Sequence, residues 1–197
     1  MLTETAPLAP VAPTHSRKNP FPAPLLKRQR LDGAGSEKET FHYEFSLHDS
    51  GLVFEPGDSL GVFPANAPEL VDEIINLLRF TADDEVTSNS GETISLRAAL
   101  ERERTITAPS RQFVQLVAER IPAAHFLLEH CDPKNRAKLD TYLWGRHVVD
   151  FALEYPELRN KLSASEFAGS LPKLQPRLYS IASSLKRYPG QAHLLRV

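Results

Sequence analysis

The strongest constraint on this 197-residue chain is a hydrophobic period that changes and then changes back. Phe41, Tyr43, Phe45 and Leu47 alternate with polar residues, which is the pattern of a half-buried strand. A turn is expected at Asp49-Ser50-Gly51, and a second strand near Leu52. Glu55-Pro56-Gly57-Asp58 forms a further turn, because proline presets φ and glycine accepts positive φ. "SLGVF" resumes the extended pattern, so residues 25–66 read as an antiparallel meander. The spacing then becomes helical. In "NAPELVDEIINLLRF", Leu70, Ile74 and Leu77 share one stripe, broadened by Val71, Ile75 and Leu78. Asn66 with Glu69 resembles a capping box, and Pro68 suits a first helical turn.

Helical spacing continues through "ISLRAALERER", "APSRQFVQLVAERI" and "KNRAKLDTYLWGRHVVDFALEY", with Phe113, Val114, Leu116 and Val117 facing inward. Ser163-Ala164-Ser165-Glu166 supplies another capping box. "LPKLQP" ends the helices, and "PRLYSIASS" is again extended. Strands at both ends with helices between predict an α+β chain, a β-domain interrupted by a helical insertion whose outer segments pair in one sheet or barrel. The expected divisions are a disordered or polyproline-like leader over 1–24, a first β segment over 25–66, helices over 67–171 and a last strand segment over 172–197.

Composition narrows the function classes. A formal charge of -2 with 24% charged residues lacks the basic excess of a general nucleic-acid binder. No apolar run reaches the eighteen or so residues of a membrane span, and the Ala/Pro-rich N-terminus lacks the pattern of a secretory signal. The expectation is a cytoplasmic protein with neither nucleic acid nor membrane as partner. Cys131 is the single cysteine, so it has no internal disulfide partner and reads as a structural thiol.

Conventional motifs are scarce. Asp32-Gly33-Ala34-Gly35-Ser36 lacks the third glycine and the strand-turn-helix context of a dinucleotide fingerprint, so it reads as a loop. The seven histidines contain no HExxH, and His125 and His130 are five apart, a poor chelating interval on a helix. No metal ligand is nominated. Asp83-Asp84-Glu85 reads as a solvated turn.

"PRLYSIASS" is different, because on a strand Arg177 and Tyr179 project from one face, separated by roughly 6.6 Å. A guanidinium binds phosphate through charge-assisted hydrogen bonds, and a tyrosine ring offers a flat surface to a heteroaromatic ring. Ser180 adds a donor and acceptor beside them, and Ser183-Ser184 with Lys186-Arg187 extend a polar, basic margin. A strand end with a snorkelling arginine and a half-buried tyrosine is the plainer reading of the same residues.

The longer wording carries more. "LPKLQPRLYSIASS", with "SRKNPFPAPLL", "GSEKET" and "FEPGDSLGVFPANAPELVDEII", resembles the FAD-binding region of the sulfite reductase flavoproteins within the diflavin reductase family. The resemblance covers nearly everything after the leader. It implies an antiparallel β-barrel of the ferredoxin reductase type with a large all-helical connecting insertion, the barrel incomplete at its C-terminus. It further implies that Arg177 binds the FAD phosphate, that Tyr179 packs against the isoalloxazine or its ribityl chain, and that Ser180 lies near the reacting nitrogen as the catalytic position. Leu178 would add backbone contacts. Leu195, Arg196 and Val197 would contribute mostly main-chain contacts from the next strand. Thr107 is either a further FAD contact or a helix cap before Ala108-Pro109.

In that family NADPH reduces FAD, and electrons then pass to FMN and on to a sulfite-reducing haem subunit. The implied partners are therefore FAD, a haem/iron-sulfur sulfite reductase subunit and a separate flavodoxin-like or other electron carrier. The family's FMN domain, glycine-rich pyrophosphate loop and NADPH domain are not found in these residues, so a truncated chain is expected. A non-catalytic interaction module, or an inactive fragment that retains the helices, is the alternative expectation.

Overall fold

The computed structural model describes residues 15–17 and 19–197; the expected leader lies largely outside the described residues. The chain divides into two compact units, one formed by residues 1–63 with 176–197 and the other by 64–175.

In the first unit, strands β1 (Leu25–Arg30), β2 (Phe41–Ser46) and β7 (Gln191–Arg196) form an antiparallel sheet in the order β1-β2-β7. Strands β3 (Ser59–Val62) and β6 (Arg177–Ser180) form a second antiparallel pair. This connectivity corrects the expected meander, because β2 is flanked by β1 and β7 while β3 leaves to pair with β6. β1 escapes sequence reading for a physical reason: every residue of "LLKRQR" is exposed, so it shows no alternation. The strand expected near Leu52 does not form a ladder. Leu52 and Phe54 nevertheless turn toward the apolar cluster while Val53 faces outward, so the alternation is real and only the hydrogen-bonded neighbour is missing. The apolar cluster of this unit centres on Leu47, Ile181, Ala192 and Leu194, with Tyr43, Phe45, Leu60, Val62 and Tyr179 partly buried against it.

The second unit contains helices α1 (Pro68–Leu78), α2 (Leu96–Arg102), α3 (Arg111–Arg120), α4 (Leu127–His130), α5 (Arg136–Leu143), α6 (Val148–Glu154) and α7 (Ala164–Ser170). It is not all-helical as expected: β4 (Glu85–Thr87) and β5 (Thr93–Ser95) make a short hairpin. Strands of three residues are too short to display a period. On α1, Val71, Ile74, Ile75 and Leu78 are buried while Leu70 and Leu77 are only partly so, which moves the centre of the stripe from the predicted one. Phe113, Phe151 and Phe167 form the aromatic middle of the core, with ring centroids 5.3 and 5.9 Å from Phe113.

Asn66 does not cap α1; the N-cap is Ala67, with Pro68 at the first helical position. The Asn66 side-chain amide instead donates to the carbonyls of Leu100 and Arg104, and its backbone N–H to Glu101. The far end of the unit fastens to the same segment, since Thr105 N–H donates to Pro172 O and Leu174 N–H to Glu103 O. Both ends of the helical unit are thus tied to residues 100–105, which lets it interrupt a pair of strands without separating them. The expected box at Ser163 forms: its hydroxyl accepts from Glu166 N–H, and the Glu166 carboxylate accepts from Ser163 N–H at 3.0 Å.

Candidate functional site

β6 has an unusual course. Arg177, Leu178, Tyr179 and Ser180 pair in register with Val62, Gly61, Leu60 and Ser59. One residue later Ile181 bridges Leu194, and Ala182 N–H donates to His193 O at 2.8 Å, so the same extended segment leaves β3 and joins β7. The transfer point is clamped from the side. Gly57 N–H donates to Ile181 O at 2.9 Å and Ile181 N–H donates to Asp58 O at 2.8 Å, so the Glu55–Asp58 turn satisfies both the N–H and the C=O of Ile181. Gly57 has φ 96°, which is why glycine is needed there. The Asp58 carboxylate closes the turn by accepting from Glu55 N–H at 2.9 Å.

Rigid backbone at Ile181 positions the residues before it. Tyr179 is half-buried against the apolar cluster, and Arg177, on the same strand face, is exposed. Among the described residues the Arg177 guanidinium has neither an ion pair nor a hydrogen-bond acceptor, and the Ser180 hydroxyl also has no partner. A cation on a clamped strand, without a counter-ion among the described residues and two residues from an aromatic ring, fits a ligand that joins a phosphate to a planar ring. Leu178 is 71% exposed on the opposite face, over Gly61. The antiparallel bridge at Ile181 and Leu194 sends the following residues, Leu195, Arg196 and Val197, back along the side of β6, and all three are exposed. Arg177, Leu178, Tyr179, Ser180, Leu195, Arg196 and Val197 therefore belong to one unit.

Thr107 belongs to the other unit, in an exposed bend between α2 and α3. It does not cap α3; Ser110 does, its hydroxyl accepting from Phe113 N–H at 3.0 Å. Ser183 is not part of a solvent margin either. It is 2% exposed, and its Oγ accepts from His193 N–H at 3.0 Å, so it serves the junction of β6 with β7. Lys186 and Arg187 are exposed as expected.

Elsewhere the reactive groups have structural explanations. Burial pushes the Cys131 thiol up, away from a reactive thiolate. The Asp32 carboxyl is held below its usual range by the Thr40 N–H, fastening the loop between β1 and β2. A cavity of about 500 Å³ lies in the helical unit, lined by His130, Ala137, Lys138, Thr141 and Tyr142. None of the residues nominated from sequence lines it. Sequence reading missed the Ile181 clamp, although Pro56-Gly57 was visible as a turn, because a turn's partner across the chain has no local signature.

Likeness to known proteins bears on these residues. The family model described as "FAD binding domain" matches residues 13–197. The chain is 40% identical over 182 residues to the sulfite reductase [NADPH] flavoprotein alpha-component of Bacillus subtilis, covering 92% of this chain and 30% of that protein. It is 37% identical to the protein of the same name from Aliivibrio fischeri (91% and 29% covered) and 35% identical to that from Vibrio parahaemolyticus (95% and 30%). The chain spans about three-tenths of the length of these relatives. Among the described residues no helix is long and apolar enough to cross a membrane.

Proposed function

Because the chain belongs to the FAD-binding domain family, we propose that β6 is the flavin-holding strand of a sulfite reductase-type flavoprotein and that the two sheets joined at Ile181 are walls of a ferredoxin reductase-type barrel. The observation that carries this reading is the exposed guanidinium of Arg177, unpartnered among the described residues, beside the half-buried ring of Tyr179 on a clamped strand.

FAD, when bound, supplies the redox chemistry, taking a hydride and releasing electrons singly. The chain's residues hold and orient it. Arg177 offers paired N–H donors and a fixed positive charge to the pyrophosphate, which a lysine would match less well because it lacks the planar fork. The Tyr179 ring gives the flavin a flat apolar wall. Its burial against Leu60 and the apolar cluster fixes the ring before ligand arrives and reduces the ordering cost of binding. Ser180 places a hydroxyl that has no partner among the described residues next to that wall, where it could donate to or accept from a flavin ring nitrogen. Leu178 and Leu195–Val197 supply main-chain contacts. With an NADPH-binding domain supplied in partnership, FAD held on this strand would relay electrons from NADPH towards a flavodoxin-like carrier and a haem-containing sulfite-reducing subunit.

The test is direct. The purified chain is titrated with FAD while flavin fluorescence and visible absorbance are followed. Saturable quenching at one FAD per chain is expected, weakened at least tenfold in Arg177→Ala and Tyr179→Ala and unchanged in Tyr142→Ala. A chain that shows no saturable flavin binding, or three variants with equal losses, would defeat the proposal.

A further inference from the structure

The outer face of the β1-β2-β7 sheet carries a second constellation, independent of the flavin reading. His42 and Glu44 are two residues apart on β2, so they share one face, and Glu44 stands directly opposite His193 on β7. His42 pairs with Leu195, which sets the two imidazoles on a diagonal across the strands, their ring centroids 5.0 Å apart. One nitrogen from each histidine and one oxygen of Glu44 all lie within 4.8 Å of one another. His42 Nδ1 is 3.6 Å from Glu44 Oε1. Among the described residues this is the only group of three such ligands.

Burial makes the arrangement unusual for an outer sheet face. His193 is 7% exposed, covered by the Tyr188 ring at 4.4 Å and by His42. Its Nε2 lies 3.3 Å from Gln191 Oε1, an outer partner of the kind that orients a ligating imidazole. The carboxylate is meanwhile held by a movable cation: Lys27, in register with Glu44 on β1, places its Nζ 3.7 Å from the same oxygen from a half-exposed position.

We propose that His42, Glu44 and His193 form a binding site for a divalent cation of the zinc class. Two imidazoles and one carboxylate are ligands for such an ion, with a fourth tetrahedral position left to water. Bonds of about 2.1 Å bring tetrahedral ligand atoms to about 3.4 Å from one another. Side-chain rotations alone close the present separations, because the backbone register already places all three groups on one face. Lys27 is the competitor: the metal binds Glu44 as the ammonium swings into water.

The experiment uses the full chain without a histidine tag, titrated with Zn²⁺ against a chromophoric chelator. One tightly held ion per chain is expected. His42→Gln and Glu44→Gln should each weaken binding at least tenfold, and the His42→Gln/His193→Gln double variant should abolish it. Lys27→Met changes only an exposed side chain and should tighten binding severalfold, so it tests the geometry even where His193 variants fold poorly. Cys131→Ser should leave affinity unchanged. Wild-type affinity no greater than that of the His42→Gln/His193→Gln variant, or a Lys27→Met variant that binds zinc no more tightly than wild type, overturns the inference. FAD titration of the same variants separates the two readings, because zinc ligands lie outside Arg177–Ser180.

Discussion

In the helical unit, Phe113, Phe151 and Phe167 are at most 1% exposed, whereas in the strand unit Phe21, Tyr43, Phe45, Phe54 and Tyr179 are only partly buried around four closed residues. The helical unit therefore fills its own centre, as a unit stable by its own packing must. The strand unit leaves aromatic faces half open, Tyr179 on the strand of the candidate flavin residues among them. Apolar surface that the chain does not close is surface a planar ligand can close. The unit that closes less of its apolar surface is thus the one expected to gain stability by binding.

The largest expected effect tests the self-sufficiency of the helical unit. Phe167→Ala removes a side chain from the middle of its core and should cost about 3–5 kcal/mol, read as a shift in urea unfolding monitored by helix circular dichroism. If the strand unit instead lost stability first, the contrast would fail. The next test acts on the other unit: FAD at a hundred times its Kd should add about 2.7 kcal/mol, seen as slowed amide exchange in β6 and β7 but not in α3 or α6. In Arg177→Ala that gain should disappear, while stability without flavin stays within about 0.5 kcal/mol because the side chain is exposed.

A smaller effect is expected at the start of the helical unit. Asn66→Ala leaves two carbonyls of the α2 end without their donor and should cost about 2 kcal/mol, again by urea titration. The smallest concerns the α7 cap, where Ser163→Ala should cost about 1 kcal/mol. Hydrogen bonds from Ser163, its backbone N–H above all, hold the Glu166 carboxyl below its ordinary range, with the Arg120 guanidinium adding to this. Its contribution is therefore present above the ordinary glutamate range and is lost as pH falls through the lowered value. Glu166→Gln should flatten that part of the acid limb in a stability-versus-pH profile.

Periodicity exposed α1 and α3, because helices of ten or more residues bury one stripe against a large core. Ser163 and Glu166 were readable as a cap because the box is local. Asn66 shows the limit of the same rule: its three-residue spacing to Glu69 was right, but carbonyls more than thirty residues away bind the amide instead. β1 and the β4-β5 hairpin left no trace because one lies wholly exposed and the other is too short for a pattern. Arg177 and Tyr179 stood out as polar residues in a strand. Their fixation through Ile181 depends on Gly57 and Asp58, which meet it only after the whole helical unit has intervened.

That separation imposes an order on synthesis. Ribosomes release β1, β2 and β3 long before β6 and β7, and the helical unit between them emerges complete, with both its ends fastened to residues 100–105. It can fold while the early strands still wait with open edges for partners not yet made. The charged side chains of "LLKRQR" on β1, Lys27 opposite Glu44 among them, blunt that edge during the interval, discouraging strangers from adding to the sheet before its own last strands arrive.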